Sequence, residues 1–442
     1  MKSAYIGLDI ATESARALLM DEEGNILGSA SVKLAPVIRA PNGAVTQDSQ
    51  SWVLAAKNLI TQIEKISKTI NVKPISLVIS ATSGTFTLVD DYGSPAAPAV
   101  MYNDARADKP LARAIFIRNE AKLLGNLSLV HTPEFVIAAL LGKKPQEIPA
   151  DWSHALKTGV NLESKNWDSQ VLESAKNANI SLPQVVAPGT ELGKMGDIRI
   201  YAGMTDGCTA QISVGGSEIG SAVTILGTTM VIKLVSDKEV SGPGFYSHLL
   251  PTNNWLVGGA SNLGGISFRK FSRDIKTWDR EAEKNGPASF VTYPLVAKGE
   301  RFPIADKNLE LFSSGTSRDG TDQYRAILEG IAFAEKYAYE ILAAAGAPLT
   351  GDLKTAGGGA KSAIWCKIRA SVMNRPIATL KNSGSDFGAS LMAIAAVNSP
   401  LDIAKGINSI KLAIGEMFYP VQSEVEVLEA SYSLFKSSLG IK

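Results

Sequence analysis

The sequence predicts a two-domain α/β protein, and three observations carry that expectation. The chain has 442 residues, more than a single hydrophobic core usually supports. A pattern of apolar strand, small polar turn and second strand occurs at residues 4–31 and again, shorter, at 221–233. Wholly apolar short strands of the kind used in parallel sheets alternate with helices of clear apolar periodicity. Two like-folded domains are expected, 1–217 and 218–442, meeting around one ligand.

Composition narrows the function. The 44 basic residues are balanced by 43 acidic ones, and no Lys/Arg run is interleaved with aromatics. Nucleic acid and anionic membrane are therefore poor partners. Met1 leads within four residues into a strand-like run, with no charged-then-apolar leader and no apolar stretch long enough to span a bilayer, which predicts a soluble cytoplasmic protein. Cys208 and Cys366 are the only cysteines and are far apart, so a disulfide framework and thiolate metal sites are not expected. His131, His154 and His248 share no metal-ligand spacing.

In chain order, residues 4–31 read as a hairpin followed by a third strand, turning at Glu23-Gly24-Asn25. Asp9 falls in the first strand-turn-strand corner, with Thr12 and Arg16 downstream; a carboxylate at a strand end beside hydroxyls and turn amides suits a Mg²⁺ and phosphate corner, or an ordinary turn with a surface Arg. Gln47-Asp48-Ser49-Gln50-Ser51-Trp52 opens a helix running to about residue 69. Ile75–Ser80 reads as a buried strand ending in the small polar turn Thr82-Ser83-Gly84-Thr85. Phe86–Val89 is a further strand, and Asp104 and Arg106 lie just past another, where open α/β sheets keep their ligand crevices, although a plain surface ion pair has the same spacing. Residues 107–200 are helical and loop-rich.

Asp206, followed by Gly207, stands at a glycine-flanked turn opening a small-residue helix, as a base or as a helix cap. Gly227-Thr228-Thr229 closes the next apolar strand as a phosphate cradle. Trp255–Gly265 is a strand running into a glycine-rich helix start that includes Gly264; a long amphipathic helix occupies about 320–345. Leu353–Trp365 is a strand, three glycines (Gly357, Gly358, Gly359) and a helix, an arrangement that lets a nucleotide approach the backbone. There is no G-x-x-x-x-G-K-[ST], no G-x-G-x-x-G after the first strand and no G-x-S-x-G, which disfavours P-loop, dinucleotide and α/β-hydrolase chemistry.

Together these segments resemble the FGGY carbohydrate kinases along essentially the whole chain. The resemblance is carried by Asp9-x-x-Thr12, Gln47-Asp48…Trp52, Tyr102-Asn-Asp104-Ala-Arg106, the spaced Asp151, Ser153, Ala155, Gly159 and Trp167, Gly203-x-x-Asp206-Gly207, Gly227-Thr228-Thr229, and Gly357-Gly358-Gly359…Trp365. It implies the two-domain actin-like (ribonuclease H-like) ATPase fold with its ligand cleft between the domains, ATP and Mg²⁺ as cofactors, and a small-molecule sugar as acceptor. By the same resemblance Asp206 is the catalytic base and Asp9 the Mg²⁺-side carboxylate. The acceptor would be held by Asp9, Thr82, Ser83, Gly84, Asp104, Asp206 and Gly207, and ATP by Thr12, Arg16, Gly227, Thr228, Thr229, Gly264, Gly357, Gly358, Gly359 and Trp365.

The sequence departs from the family pattern in places. Ala11 replaces a glycine of the first phosphate turn, where its methyl is expected to crowd the phosphate or shift the turn. Thr82-Ser83-Gly84-Thr85 replaces the Q-M-H-G sugar loop and Tyr102 a Trp, giving a smaller, hydroxyl-lined pocket. Ser385-Asp386-Phe387-Gly388-Ala389 departs from the usual pattern downstream of the adenosine loop, and the segment after Arg106 is short for the family. These features resemble the short D-ribulose kinase-like, or xylulose kinase-like, branch. The expected reaction is phosphorylation of the primary hydroxyl of a ketopentose, D-ribulose before D-xylulose, and a homodimer is the default assembly. The competing classes are an actin-like or chaperone-like ATPase, which has no use for the residues at 82–106, and a catalytically weak sugar sensor.

Overall fold

The N-terminal alternation makes three strands, β1 (Lys2–Ile10), β2 (Ser14–Met20) and β3 (Ile26–Lys33), paired as an antiparallel meander in which Asp9 faces Arg16 across the first hairpin. This computed structural model describes residues 1–215, 218–269, 271 and 274–441. Helix α1 (Gln50–Thr69) lies over that meander: its buried face includes Trp52, Ala56, Leu59 and Ile63 at helical spacing, and its start is held by the Asp48 carboxylate, which accepts the Gln50 N–H at 2.9 Å. Strand β4 (Val72–Ala81) then lies parallel to β1, placing Asp9 beside Ser80 and Ile10 beside Ala81. Beyond it run β5 (Glu191–Met195) and β6 (Ile198–Tyr201), with β6 parallel to β4. Across the sheet the order is β5-β6-β4-β1-β2-β3.

Two helices between β4 and β5 matter for the site: α2 (Thr132–Leu141) and the single turn α3 (Trp152–Ala155). After β6, Asp206 begins α4 (Asp206–Ser213).

The second unit repeats the plan. Strands β7 (Ala222–Leu226), β8 (Met230–Ser236) and β9 (Trp255–Ser261) form the meander, and β10 (Leu353–Ala356) runs parallel to β7 as β4 does to β1. The long helix α5 is Gly320–Ala344, followed after β10 by α6 (Ala363–Met373) and by β11 (Ile377–Leu380), which is parallel to β10. Its core contains an ion pair excluded from solvent: Arg369 donates to both carboxylate oxygens of Glu335, at 2.6 and 2.7 Å, and Thr224 and Thr355 hydroxyls complete the set. A buried charge is tolerable only when paired and hydrogen-bonded to this degree.

The compact units are Met1–Gly215 with His248–Asn253 and Ser383–Lys411, and Gly216–Ser247 with Asn254–Asn382 and Leu412–Lys442. The boundary expected at 217/218 falls on Ser217, which lies outside the described residues. The segment carrying Ser385-Asp386-Phe387-Gly388-Ala389, downstream of the adenosine loop in sequence, belongs to the first unit. It forms α7 (Ser385–Asn398) and α8 (Ile403–Ser409). Helix α7 packs against β1 and α4 so closely that a side chain at Gly7 would collide with the Ser390 backbone, and one at Gly388 with the Thr209 carbonyl. Among the described residues no single helix is long and apolar enough to cross a membrane; the bent pair α7 and α8 passes that test only on composition. Cys208 and Cys366 are buried and form no disulfide.

Candidate active site

The site in the first unit is built at the carboxyl ends of its parallel strands. Ala81, the last residue of β4, makes a parallel bridge to Thr205, so the Thr82–Thr85 turn and the first residue of α4, Asp206, leave the sheet side by side. The Ser80 and Thr209 hydroxyls, 2.8 Å apart, tie the same two segments. Asp206 is half-buried, and its Oδ1 accepts the Gly207 N–H at 2.7 Å, which orients the carboxylate without consuming its other oxygen in that bond.

Asp9 is 1% exposed. Arg16 donates to its Oδ2 at 3.0 Å, while Oδ1 is buried with no hydrogen-bond partner. Burial, then the neighbouring Asp206 charge, pushes the Asp9 carboxyl up to about 7 against the pull of Arg16; Asp386 on α7 adds to the rise. A group held in that state favours a cation nearby. Among the described residues no three acidic, His or Cys side chains converge as a metal cage. The donor set therefore fits Mg²⁺ held by Asp9 with water and phosphate oxygens, the usual arrangement for that ion.

The turn after β1 is closed by the Ala11 N–H on the Ser14 carbonyl at 3.0 Å. Ala11 is not among the residues with positive φ, so nothing in this turn's backbone demands glycine. The Gln47…Trp52 motif braces it from behind: Trp52 Nε1 donates to Gln47 Oε1 at 2.8 Å, and Gln47 Nε2 donates to the carbonyls of Thr12 at 2.9 Å and Ala35 at 2.6 Å.

In the acceptor turn, the Thr82 and Thr85 hydroxyls are 2.9 Å apart, Gly84 has φ +85°, and the buried Ser83 Oγ has no partner. Asp104 is a different case from the open acceptor expected of it. Its side chain is fully buried, taking the Val45 N–H at 2.8 Å, the Arg106 N–H at 3.1 Å and the Arg106 guanidinium at 2.7–3.1 Å. Burial opposes its charge, but these donors outweigh it and hold the carboxyl below its usual range. The Asp104–Arg106 pair is thus a buried clamp on the strand end, neither a surface pair nor a free sugar acceptor.

In the second unit the turn between β7 and β8 is the counterpart of the β1–β2 turn, and the glycine loop after β10 the counterpart of the Thr82–Thr85 turn. Gly227 and Thr228 are exposed. The Gly265 and Ile266 N–H groups donate to the carbonyls of Gly227 at 2.9 Å and Thr228 at 3.0 Å, which seats Gly264 against this turn. Gly357 has φ +88°, and a Cβ there would lie 2.6 Å from the Leu226 carbonyl oxygen, while Gly358 faces open space. These three glycine segments make a backbone-lined cradle around the end of β7. Trp365 is only 3% exposed, packed on Phe268 with ring centres 5.3 Å apart and backing Gly359, so it supports the loop from the core.

Sequence reasoning missed Asp386, which adds a third carboxylate charge near Asp9, and Ser385, whose hydroxyl donates to the Asp206 carbonyl at 3.1 Å. The signal available was an Asp at the start of a helix entered through a glycine, here Gly384 with φ +135°. Asp151 and Ser153 enter the family resemblance without a role; in α3 Asp151 caps the turn and the Ser153 hydroxyl accepts the Thr205 N–H at 3.1 Å.

Comparison with known proteins agrees with this geometry. Residues 4–123 match the N-terminal domain of the FGGY family of carbohydrate kinases, and residues 222–397 its C-terminal domain. A xylulose kinase of Staphylococcus epidermidis is 24% identical across 99% of this chain and 96% of its own length. A gluconokinase of Bacillus subtilis is 22% identical over 85% of this chain and 84% of its own. The crystal structure of a ligand-bound xylulose kinase from Lactobacillus acidophilus superimposes with a TM-score of 0.85 at 20% identity, covering 99% and 98% of the two chains. With a repeated sheet plan in the two units and both family domains matched in order, the chain belongs to the FGGY family of carbohydrate kinases.

Proposed function

We propose that this carbohydrate kinase transfers the terminal phosphoryl group of ATP to the primary hydroxyl of a ketopentose. The observation that carries the reading is the pairing, on one strand-end junction, of Asp206 with the hydroxyl-bearing Thr82–Gly84 turn, whose Ser83 Oγ is buried and unpaired. An unpaired buried hydroxyl costs free energy that a sugar hydroxyl can recover. The relatives named xylulose kinase support D-xylulose over D-ribulose, the acceptor expected from the sequence.

Phosphoryl transfer asks the protein chiefly to position groups and neutralise charge. Asp206 acts as the base: fixed by the Gly207 N–H, it accepts the proton of the attacking hydroxyl as the new P–O bond forms. The Thr82–Gly84 turn presents the acceptor, and the Asp104–Arg106 clamp holds the neighbouring strand end in place. In the first unit Thr12 and Arg16 are the phosphate-binding residues, and in the second unit Gly227-Thr228-Thr229 are. Gly358 leaves the nucleotide's path free of a side chain, while Gly264, Gly357 and Gly359 let the surrounding loops close tightly on the end of β7. Asp9 would hold Mg²⁺, which would supply charge neutralisation to the nucleotide phosphates.

A coupled ADP-release assay across D-xylulose, D-ribulose, gluconate and glycerol tests the reading. A ketopentose should have the highest kcat/KM, since a three-carbon polyol leaves polar groups of the turn unpaired. If glycerol or gluconate exceeded both pentuloses, the ketopentose assignment fails.

A further inference from the structure

We propose that His154 is a positioning residue for phosphoryl transfer: a buried imidazolium that joins the Asp151 carboxylate to the Ala81 carbonyl and so fixes the junction from which Asp206 and the Thr82–Gly84 turn depart. This rests on the reading of Asp206 as the base.

His154 is 1% exposed. Its Nδ1 lies 2.6 Å from Asp151 Oδ2 and its Nε2 lies 3.3 Å from the Ala81 carbonyl oxygen. The other Asp151 oxygen caps α3, accepting the N–H groups of Ser153 at 2.9 Å and His154 at 3.0 Å, as a carboxylate does. A carbonyl oxygen has no proton to give. A neutral imidazole donates from one nitrogen only, so in that form one ring lone pair would point at an acceptor lone pair. Both nitrogens satisfy their neighbours only when both carry hydrogen.

The same helical turn grips the other side of the junction through Ser153, which accepts the Thr205 N–H at 3.1 Å. Ala81 and Thr205 are bridge partners, so α3 holds both halves of the fork. The charges around the ring favour the cation: burial opposes it, but Asp151, Glu134 on α2 and Asp206 on α4 outweigh that and raise the imidazole above its ordinary range. Of the other ionisable neighbours, Lys157 reaches the Ser83 carbonyl at 3.4 Å, His131 pairs with Glu134 and Thr158 at 2.9 Å each, and Cys208 Sγ takes the Ser153 hydroxyl at 3.6 Å. Because the shift is upward, the contact with Ala81 is present at low and neutral pH and is lost as pH rises through the folded-state value. Deprotonation would then free the Ala81 end and loosen the alignment of Asp206.

The chain's three histidines make the charge state directly readable. The probe is long-range ¹H–¹⁵N correlation of ¹⁵N-histidine-labelled full-length protein between about pH 6 and about pH 10, assigned with His131→Gln and His248→Gln. The expected result is that His154 keeps both ring nitrogens protonated at about pH 7, where an imidazole with the usual value of about 6.5 is mostly neutral. A neutral His154 at about pH 7 overturns the proposal. The kinetic arm uses His154→Gln, whose amide can still reach the Ala81 carbonyl but carries no charge. It is expected to lower kcat by about tenfold, to leave ATP affinity within about twofold and to abolish the alkaline fall in kcat. A variant with wild-type kcat and an unchanged pH profile overturns the positioning role. Wild type inactive on every acceptor would instead sink the kinase reading, leaving the histidine spectrum to decide this one.

Discussion

Gly264→Ala is the perturbation whose consequence can be worked most fully from the coordinates. Gly264 has φ 149° and ψ −149°, a region open essentially to glycine alone. A methyl there would lie 2.8 Å from the Thr228 carbonyl oxygen and 2.8 Å from the Thr229 Cα and carbonyl carbon, so the 227–229 turn must give by several tenths of an ångström. The backbone conformation contributes about 1–3 kcal/mol and the overpacking a similar amount; at about 2–4 °C per kcal/mol for a unit of this size, its melting should fall by roughly 4–24 °C. Displacing that turn should also weaken ATP by about tenfold, because its backbone is proposed to meet the phosphates. Calorimetric melting with and without ATP reads both effects, with acceptor KM as a control on the first unit. Melting within about 1 °C of wild type, together with unaltered ATP affinity, would refute the reasoning that Gly264 seats the phosphate turn.

Three further substitutions probe other parts of the account. Asp104→Ala removes the buried acceptor of the Arg106 guanidinium and of the Val45 N–H, and should cost the first unit about 3–5 kcal/mol while raising the acceptor KM; an unchanged melt and KM would show that the clamp is idle. Ala11→Gly should raise kcat by less than about threefold, by removing a methyl from a turn that does not require glycine, and a sharp loss would mean that the turn is built around Ala11. Asp322 is fully buried, and although burial opposes its charge, Arg318 and Ser289 hold its carboxyl well below the usual range. That stabilisation is present above the ordinary carboxylate value and is lost as pH falls below it. Asp322→Asn should therefore flatten the acid-side decline in the second unit's melting temperature below about pH 4, and an equally steep decline would count against it.

What the sequence made legible is what local physics determines. The two strand-turn-strand corners announce themselves by alternation and by their small polar turns, and Asp9, Thr12 and Gly227-Thr228-Thr229 fall where those turns fall. Helix α1 shows its buried stripe, and Asp206 its helix start. The return of α7 to the first unit was not legible: it is buried on nearly all sides, carries no amphipathic stripe to say which sheet it covers, and is separated from β1 by most of the chain. Asp386 was hidden with it. Saturation of Asp104 was hidden for another reason, since one of its donors, the Val45 amide, is 59 residues away and offers no side-chain signal. Trp365 is assigned to the nucleotide by its resemblance to the family's adenosine motif; its packing on Phe268 behind Gly359 depends on tertiary partners that the sequence does not name.

The central claim, that Asp206 is the base of a ketopentose kinase, is tested most directly by Asp206→Asn in a coupled ADP-release assay with D-xylulose and D-ribulose, beside calorimetric ATP binding. The account predicts a loss of kcat of about 10²–10⁴-fold with the fold and ATP affinity preserved, because the carboxylate acts on the acceptor hydroxyl. A variant that kept more than about a tenth of wild-type turnover would contradict it.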